Sequence, residues 1–244
     1  MKTQNRQMPP ATTGIDWRIL LVWTGMGTAA ALLVFNLAAG TIIPPLLVFA
    51  VLYGIGVWLT RRGGKAGPIV LGILSLLLLG VNVPFIVPAL SVPASTVDFV
   101  MTGLLVVLAL ANLVSSVASL RAADGAGARL VGRSLVALML VVVAVAIVGR
   151  VTYDAPVSQS GDIELAAQDY EFNTDVIEAD SGEVSVFVEN KDTALHTFTV
   201  EGLDVDLQVP GGTTARVTFD APAGSYEFIC VPHSDVMKGM LEVE

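Results

Sequence analysis

The residues of this sequence that could bind a metal are few, and they lie in one segment. The 244-residue chain has a single cysteine, Cys230, and two histidines, His196 and His233. His233 follows Cys230 by three positions in "CVPHSDVMKG", and the methionines Met237 and Met240 come soon after. Two imidazoles, a thiolate and a weak thioether are the ligands that copper uses in sites that transfer single electrons. The residue types therefore predict a mononuclear copper site.

The elements that must bring these residues together are short strands in the last third of the chain. Residues 151–162 predict a linker, because Pro, Ser, Gly and Asp occur there without periodicity. Residues 163–244 contain "GEVSVFVEN", "HTFTVEG", "TARVTFD", "GSYEFIC" and "GMLEVE", spaced by roughly ten residues, which is typical of an antiparallel all-β sandwich or barrel. His196 begins one of these strands and Cys230 ends another. Since strand ends converge on one rim of a sandwich, the three rare residues can meet there.

The same segment resembles a known family. "DYEFNTDVIEADSGEVSVFVENKDTALHTF", then "PGGTTARVTF", "APAGSYEFICVPH" and "MKGMLEV", are similar to cupredoxins of the plastocyanin, amicyanin and halocyanin kind. The resemblance implies a Greek-key sandwich with one type 1 (blue) copper that cycles between Cu(I) and Cu(II). It implies His196, Cys230, His233 and Met237 as the ligands. For the first 150 residues no family is recognised.

The resemblance also carries expectations about each ligand. His233 is expected near the surface, among apolar residues, as the port for electrons. His196 is expected to be more buried, with its other ring nitrogen hydrogen-bonded. Three residues separate His233 from Met237, whereas plastocyanin-like sequences place four there and amicyanin-like ones two, so Met240 stays open as an alternative axial ligand.

The small number of ligands excludes several other kinds of site. Structural zinc sites use four strong nitrogen or sulfur ligands, and a thioether is not one of them. Copper nitrite reductases and multicopper oxidases need further histidines, and the binuclear copper-A centre needs two cysteines. We therefore expect an electron carrier and not an enzyme.

The first 150 residues differ chemically from the rest. They contain ten basic and three acidic residues, a net charge of +7, whereas the remaining 94 carry three basic and nineteen acidic residues, a net charge of −16. Five apolar stretches, about 17–38, 42–60, 68–90, 97–120 and 130–149, are long enough to cross a bilayer. Residues 1–150 are thus predicted to form an all-α bundle of five transmembrane helices.

The basic residues predict how this bundle lies in the membrane. The connections "RRGGKAG" and "RAADGAGARLVGR" are basic and are assigned to the cytoplasm, while "AAGTII" and "SVPAST" carry no charge. This places the N-terminus inside and the acidic domain outside, with Arg150 as the one basic residue at an outer end. Asp98, at another outer end, is expected to be solvated without a special role.

Polar residues within the predicted spans are few. Asn36, Asn82 and Asn112 are expected to form hydrogen bonds between helices. No span contains a histidine, which excludes a haem with two histidine ligands inside the bundle.

These observations predict a multi-pass, membrane-anchored blue copper protein on the outer face of the cytoplasmic membrane. Its expected partners are the lipid bilayer and a redox protein with a basic docking surface, such as a c-type cytochrome or a terminal oxidase, and no nucleic acid. The acidic charge fits solubility or a salty habitat equally well. Two alternatives stay open: a protein that stores, delivers or senses copper, and a copper-carrying subunit of a larger membrane redox complex.

Overall fold

The computed structural model describes residues 16–38, 42–123 and 125–244, and the predicted cytoplasmic segment before residue 16 lies outside them. Within the described residues, a helical region is followed by a domain of β-strands. The helices are α1 (Trp17–Ala38), α2 (Pro44–Arg61), α3 (Ala66–Val81), α4 (Val83–Ser91), α5 (Thr96–Leu120) and α6 (Gly125–Thr152). The strands are β1 (Ile163–Gln168), β2 (Glu171–Phe172), β3 (Val176–Ala179), β4 (Gly182–Asn190), β5 (His196–Val200), β6 (Val205–Val209), β7 (Thr214–Ala221), β8 (Gly224–Ile229) and β9 (Lys238–Val243).

Helices α3 and α4 cover the stretch 68–90 that the sequence predicts as a single span. They are separate helices, and their axes meet at an angle of 66°. The break falls at Asn82, just before Pro84 near the start of α4. Proline lacks a backbone N–H and disfavours helical backbone in the residue before it, so the chain cannot continue α3 straight through. By length and composition, α1, α2, α5 and α6 could each cross a membrane, and the bent pair could make a fifth crossing.

Hydrogen bonds in the helical region test the expectation for its asparagines. Asn112 of α5 accepts a hydrogen bond from Thr24 (2.7 Å) and donates one to Thr28 (2.9 Å), both on α1. This residue confirms the prediction of contacts between helices. Asn36 of α1 accepts the backbone N–H of Ile43, the N-cap residue of α2, and so also links two helices. Asn82, between α3 and α4, donates to the carbonyl of Leu78 in α3, and for this residue the prediction is wrong.

The β-domain consists of two sheets that face each other across one apolar core. One sheet has the strand order β2-β1-β4-β7 and the other the order β3-β9-β8-β5-β6. Apolar residues alternate along "GEVSVFVEN", and its Val184, Val186 and Val188, in β4, are buried in the core. In the second sheet β5 and β8 are antiparallel neighbours. The start of β5 therefore lies beside the end of β8, where the rare residues are.

The helical region and the β-domain make direct contact at one end of the bundle. The Asp98 carboxylate accepts a hydrogen bond from the backbone N–H of Leu195 (2.9 Å), and Arg150 donates one to the carbonyl of Gly212 (2.8 Å). Tyr153, just after α6, donates to the carbonyl of Thr214 (3.0 Å). Arg150, near the C-terminal end of α6, thus has a structural partner in the β-domain. The expectation for Asp98 is wrong, because this carboxylate holds the loop that precedes His196.

Candidate metal centre

The rare residues occupy the rim where β5 and β8 meet. His196 is the first residue of β5, and Cys230 directly follows β8. His233 ends a short 3₁₀ helix, Val231–His233, that begins immediately after Cys230. Pro232 lies in the first turn of this helix, where its fixed backbone angle suits the tight loop. The chain topology thus brings two segments 34 residues apart to one place.

The side chains of His196, Cys230 and His233 point at one another. The sulfur of Cys230 lies 3.5 Å from Nδ1 of His196 and 3.5 Å from Nδ1 of His233. The three ligand atoms all lie within 4.8 Å of one another. An ion bonded to a thiolate at about 2.3 Å and to imidazoles at about 2.0–2.1 Å, with a tetrahedral angle between them, separates S from N by about 3.5 Å. The geometry of these three residues therefore fits one shared metal ion.

Backbone hydrogen bonds close the loop that carries Cys230 and His233. The N–H of Cys230 donates to the carbonyl of Met237, the N–H of His233 to that of Cys230, and the N–H of Met237 to that of His233, each at 2.9 Å. Because each of these three residues is bonded to another of them, the loop is a compact unit. These bonds hold Cys230, His233 and Met237 close to one another.

The two methionines considered as axial ligands differ in their surroundings. Met237 is fully buried and belongs to the same core cluster as Cys230. Met240 lies within β9, where its neighbour Leu241 is fully buried in the core. Since side chains alternate along a strand, Met240 projects from the opposite face of the sheet. The burial pattern favours Met237 over Met240.

A carboxylate fixes the ring of His196 from behind. Nε2 of His196 lies 2.8 Å from the Asp192 carboxylate, which leaves Nδ1 directed at Cys230. The same carboxylate accepts the backbone N–H groups of Asp169 (2.8 Å) and Tyr170 (3.0 Å). Burial alone would raise the pKa of Asp192, but these hydrogen bonds outweigh it and hold the pKa below its ordinary value. Such a partner orients a metal-binding imidazole and raises its basicity.

The sulfur of Cys230 has its own fixed surroundings. It is fully buried and accepts a hydrogen bond from the backbone N–H of Thr197 (3.3 Å). The Thr197 hydroxyl in turn accepts the N–H of Val231 (2.8 Å), which ties β5 to the ligand loop. Burial raises the pKa of the Cys230 thiol, with the Thr197 N–H opposing this effect. A metal that binds here must displace the thiol proton.

The surroundings of both imidazoles favour their neutral form. Burial, together with nearby His196, lowers the pKa of His233 to about 4, although Asp192 acts in the opposite direction. Burial also lowers the pKa of His196, although Asp192 acts in the opposite direction. Neutral imidazole is the form that binds a metal, so neither histidine has to lose a proton first.

Residues 136–243 match the family model of the cupredoxin-like domain. The β-domain is a cupredoxin. The match begins within α6 and ends with β9. This family points to copper as the cofactor, and His196, Cys230 and His233 form the candidate copper site of this cupredoxin domain.

Solved structures similar to this chain include amicyanins. A reduced amicyanin variant is 19% identical with a TM-score of 0.32, and the two aligned parts cover 36% of this chain and 86% of that one. The amicyanin of Paracoccus versutus is 20% identical with a TM-score of 0.30, covering 36% and 85% respectively. A search of curated proteins found no match.

Several residues around the site were not identified from the sequence. Asp192 stands four positions before His196, and a search for a carboxylate near a metal-binding histidine would have found it. Tyr170 contacts both imidazoles edge-on, with ring centroids 5.7 Å from His196 and 4.8 Å from His233. Nothing in the sequence around Tyr170 points to this role, because the chain reverses with a positive φ at Asp169 and Tyr170 to place the ring there.

Proposed function

We propose that this protein is a membrane-anchored, mononuclear type 1 copper protein that transfers single electrons on the outer face of the cytoplasmic membrane. The observation that carries the proposal is the convergence of the His196, Cys230 and His233 ligand atoms within 4.8 Å. Copper bound there would accept and release one electron between its Cu(II) and Cu(I) states. Met237 would supply the weak axial sulfur.

The protein's own residues explain why such a site would suit electron transfer. Asp192 holds His196, Thr197 holds the sulfur, and the backbone bonds of the ligand loop hold His233 and Met237. A site fixed in this way changes little when its charge changes by one unit, so little reorganisation accompanies each transfer. Because both histidines of the chain would be ligands of this one copper, none is left to hold a second copper that binds a substrate.

Membrane anchoring is supported by where the helices meet the cupredoxin domain. The domain contacts the end of α1 at Ala38, the start of α5 at Asp98 and the end of α6 at Arg150. These are the helix ends that the charge pattern assigns to the outside. The basic residues Arg61, Arg62 and Lys65 lie at the other ends, as expected for a cytoplasmic side. A reporter enzyme that folds only outside the cytoplasm, fused after Glu244, should be active, and an inactive fusion would overturn the orientation.

Spectroscopy of the full-length protein tests the copper proposal. After loading with Cu(II) in detergent, the protein should show an intense visible thiolate-to-copper band. The band should be absent in Cys230→Ser and retained in Ser234→Ala, a control on the exposed part of the same loop. A colourless Cu(II) complex of the wild-type protein would rule the proposal out.

The axial ligand can be tested with a matched pair of substitutions. Met237→Leu should change the Cu(II) spectrum and raise the reduction potential, because it removes a weak sulfur ligand. Met240→Leu, on the opposite face of β9, should change neither. The reverse result would make Met240 the axial ligand.

A role in copper storage or delivery is less well supported. The sulfur of Cys230 is fully buried, so a chaperone could not reach it without opening of the domain. We expect bound copper to exchange slowly with a soluble Cu(I) chelator. Complete exchange within seconds would favour copper handling.

A further inference from the structure

A large cavity lies between the helical region and the cupredoxin domain. Its volume is about 640 Å³, within the usual range of sites for small organic molecules. Most of its wall is apolar and comes from α1 to α5, including Phe35, Leu46, Leu79, Phe85 and Leu105. At the cupredoxin end, Asp98, Tyr170 and His233 complete the wall. The cavity thus joins an apolar chamber among membrane helices to the candidate copper site.

His233 connects this cavity to the candidate metal centre. Its Nδ1 faces the sulfur of Cys230, while the half-buried ring also lines the cavity together with Val236. His196, in contrast, is fully buried and does not line the cavity. The expected apolar surroundings of His233 are present, but part of them belongs to the helical region. An electron that passes through the His233 ring would therefore enter or leave on the side of the cupredoxin domain that faces the helices.

The polar groups of the cavity restrict what it can hold. Its charged lining residues are Asp98, Asp169 and Glu171, all acidic, and no lysine or arginine lines it within the described residues. A phosphate or carboxylate ligand would therefore be repelled. A neutral molecule with hydroxyl donors is favoured, because the Asp98 carboxylate has a second oxygen besides the one that accepts the Leu195 N–H.

Aromatic groups at the same end favour a flat ring. Tyr170 and His233 already pack edge-on with centroids 4.8 Å apart, and Phe35 and Phe85 line the neighbouring wall. Aromatic rings gain about 0.5–1.5 kcal/mol from such contacts beyond the apolar area that they bury. The ligand that combines a flat ring, hydroxyl donors and an apolar tail for the rest of the chamber is a lipid-soluble hydroquinone.

We propose that this cavity binds a membrane hydroquinone with its ring against His233, and that the hydroquinone is the electron donor to the copper. The inference rests on the proposed function. Oxidation of one hydroquinone to one quinone releases two electrons and two protons. Copper held by His196, Cys230 and His233 would take these two electrons one at a time, and an external one-electron acceptor would reoxidise it after each. The protons pass to water, with the Asp98 carboxylate as the hydrogen-bond acceptor at the hydroxyl.

The first test measures binding without copper. Copper-free, full-length protein in lipid nanodiscs is titrated anaerobically with a radiolabelled short-chain benzohydroquinone. We expect saturable binding of one hydroquinone per protein, weakened at least tenfold in Ala89→Phe, because Ala89 lines the cavity and the added ring would fill it. Ala137→Phe is the matched control, since Ala137 is exposed on α6 and does not line the cavity. Non-saturable partition into lipid, or equal binding by both variants, would overturn the proposal.

The second test separates this proposal from the proposed function. Copper-loaded wild-type, Ala89→Phe and Ala137→Phe proteins are each reduced with ascorbate and with a short-chain hydroquinone. All three should show the visible band and lose it with ascorbate, which establishes an intact copper site. Hydroquinone should bleach Ala89→Phe at least tenfold more slowly than the other two proteins. Equal bleaching rates would overturn the hydroquinone site alone, whereas absence of the band in wild type would overturn the copper proposal.

Discussion

The two regions that supply the imidazoles are built differently. His196 starts a strand, is fully buried and has its outer nitrogen bonded to the Asp192 carboxylate. His233 ends a single turn of 3₁₀ helix, is only partly buried and borders a cavity. Each Nδ1 nevertheless lies 3.5 Å from the same sulfur. His196 thus fixes the site within the domain, whereas His233 connects the site to the cavity beside the helices.

The largest expected effect comes from deleting each ring in turn. His196→Gly and His233→Gly should both abolish the visible copper band, since each removes a ligand. Added free imidazole should restore the band only in His233→Gly, because the cavity gives access to that gap while the gap at His196 is enclosed. The measurement is the absorption spectrum of the Cu(II)-loaded full-length variants with increasing imidazole. Equal rescue of both variants would show that the two regions do not differ in access.

How far the sequence predicts this arrangement differs between the two regions. The ligand types and their positions at strand ends follow from the spacing of rare residues, and burial of Val184, Val186 and Val188 follows from the alternation along β4. The neighbouring groups that distinguish His196 from His233 do not follow from the sequence. They depend on how loops fold back and on how the helical region packs against the cupredoxin domain.

Asp98 and Asn82 show the same limit in the helical region. Asp98 looks like a solvated residue at a helix end, because its partner Leu195 lies 97 positions away in the chain. The break at Asn82 is indicated by the nearby prolines, but hydropathy alone continues across it. In both cases a local pattern predicts the element, whereas its contact or bend depends on tertiary structure.

A smaller effect is expected from the carboxylate behind His196. Asp192→Asn should weaken Cu(II) binding by about 10–100-fold, the usual cost of losing the partner of a metal-binding imidazole. The reason is that an amide polarises the ring less than a carboxylate does. The control is Asp235→Asn, an exposed residue beside His233. Competition with a chelator of known affinity measures both variants, and equal losses would contradict the distinction between the two regions.

The copper-free protein should show a pH effect centred on His233. In an unfolded chain a histidine binds a proton at a pKa of about 6.5, whereas folded His233 does so only at about 4. Between these values the unfolded state holds more protons, so the free energy of unfolding falls as the pH falls from about 6.5 to about 4, by on the order of 2 kcal/mol. Above about 6.5 this loss is absent.

Amide hydrogen exchange in β5 and β8 of the full-length protein can measure this change at pH 7 and at pH 4.5. His233→Gln removes the titrating group, and its protection should depend less on pH than that of wild type. His196 also has a lowered pKa, so part of the dependence should persist. A variant with unchanged pH dependence would show that His233 does not titrate as described.

The smallest effect is expected at Tyr170, the residue that both regions share. Its ring contacts His196 and His233 edge-on, and its backbone N–H is held by Asp192. Tyr170→Leu should lower the free energy of unfolding of the cupredoxin domain by about 1 kcal/mol, because it removes the aromatic contacts. Tyr170→Phe keeps the ring and should differ from wild type by less than about 0.5 kcal/mol. Hydrogen exchange in β5 measures both variants, and a Phe variant as unstable as the Leu variant would assign the stabilisation to the hydroxyl group instead of to the ring that bridges the two histidines.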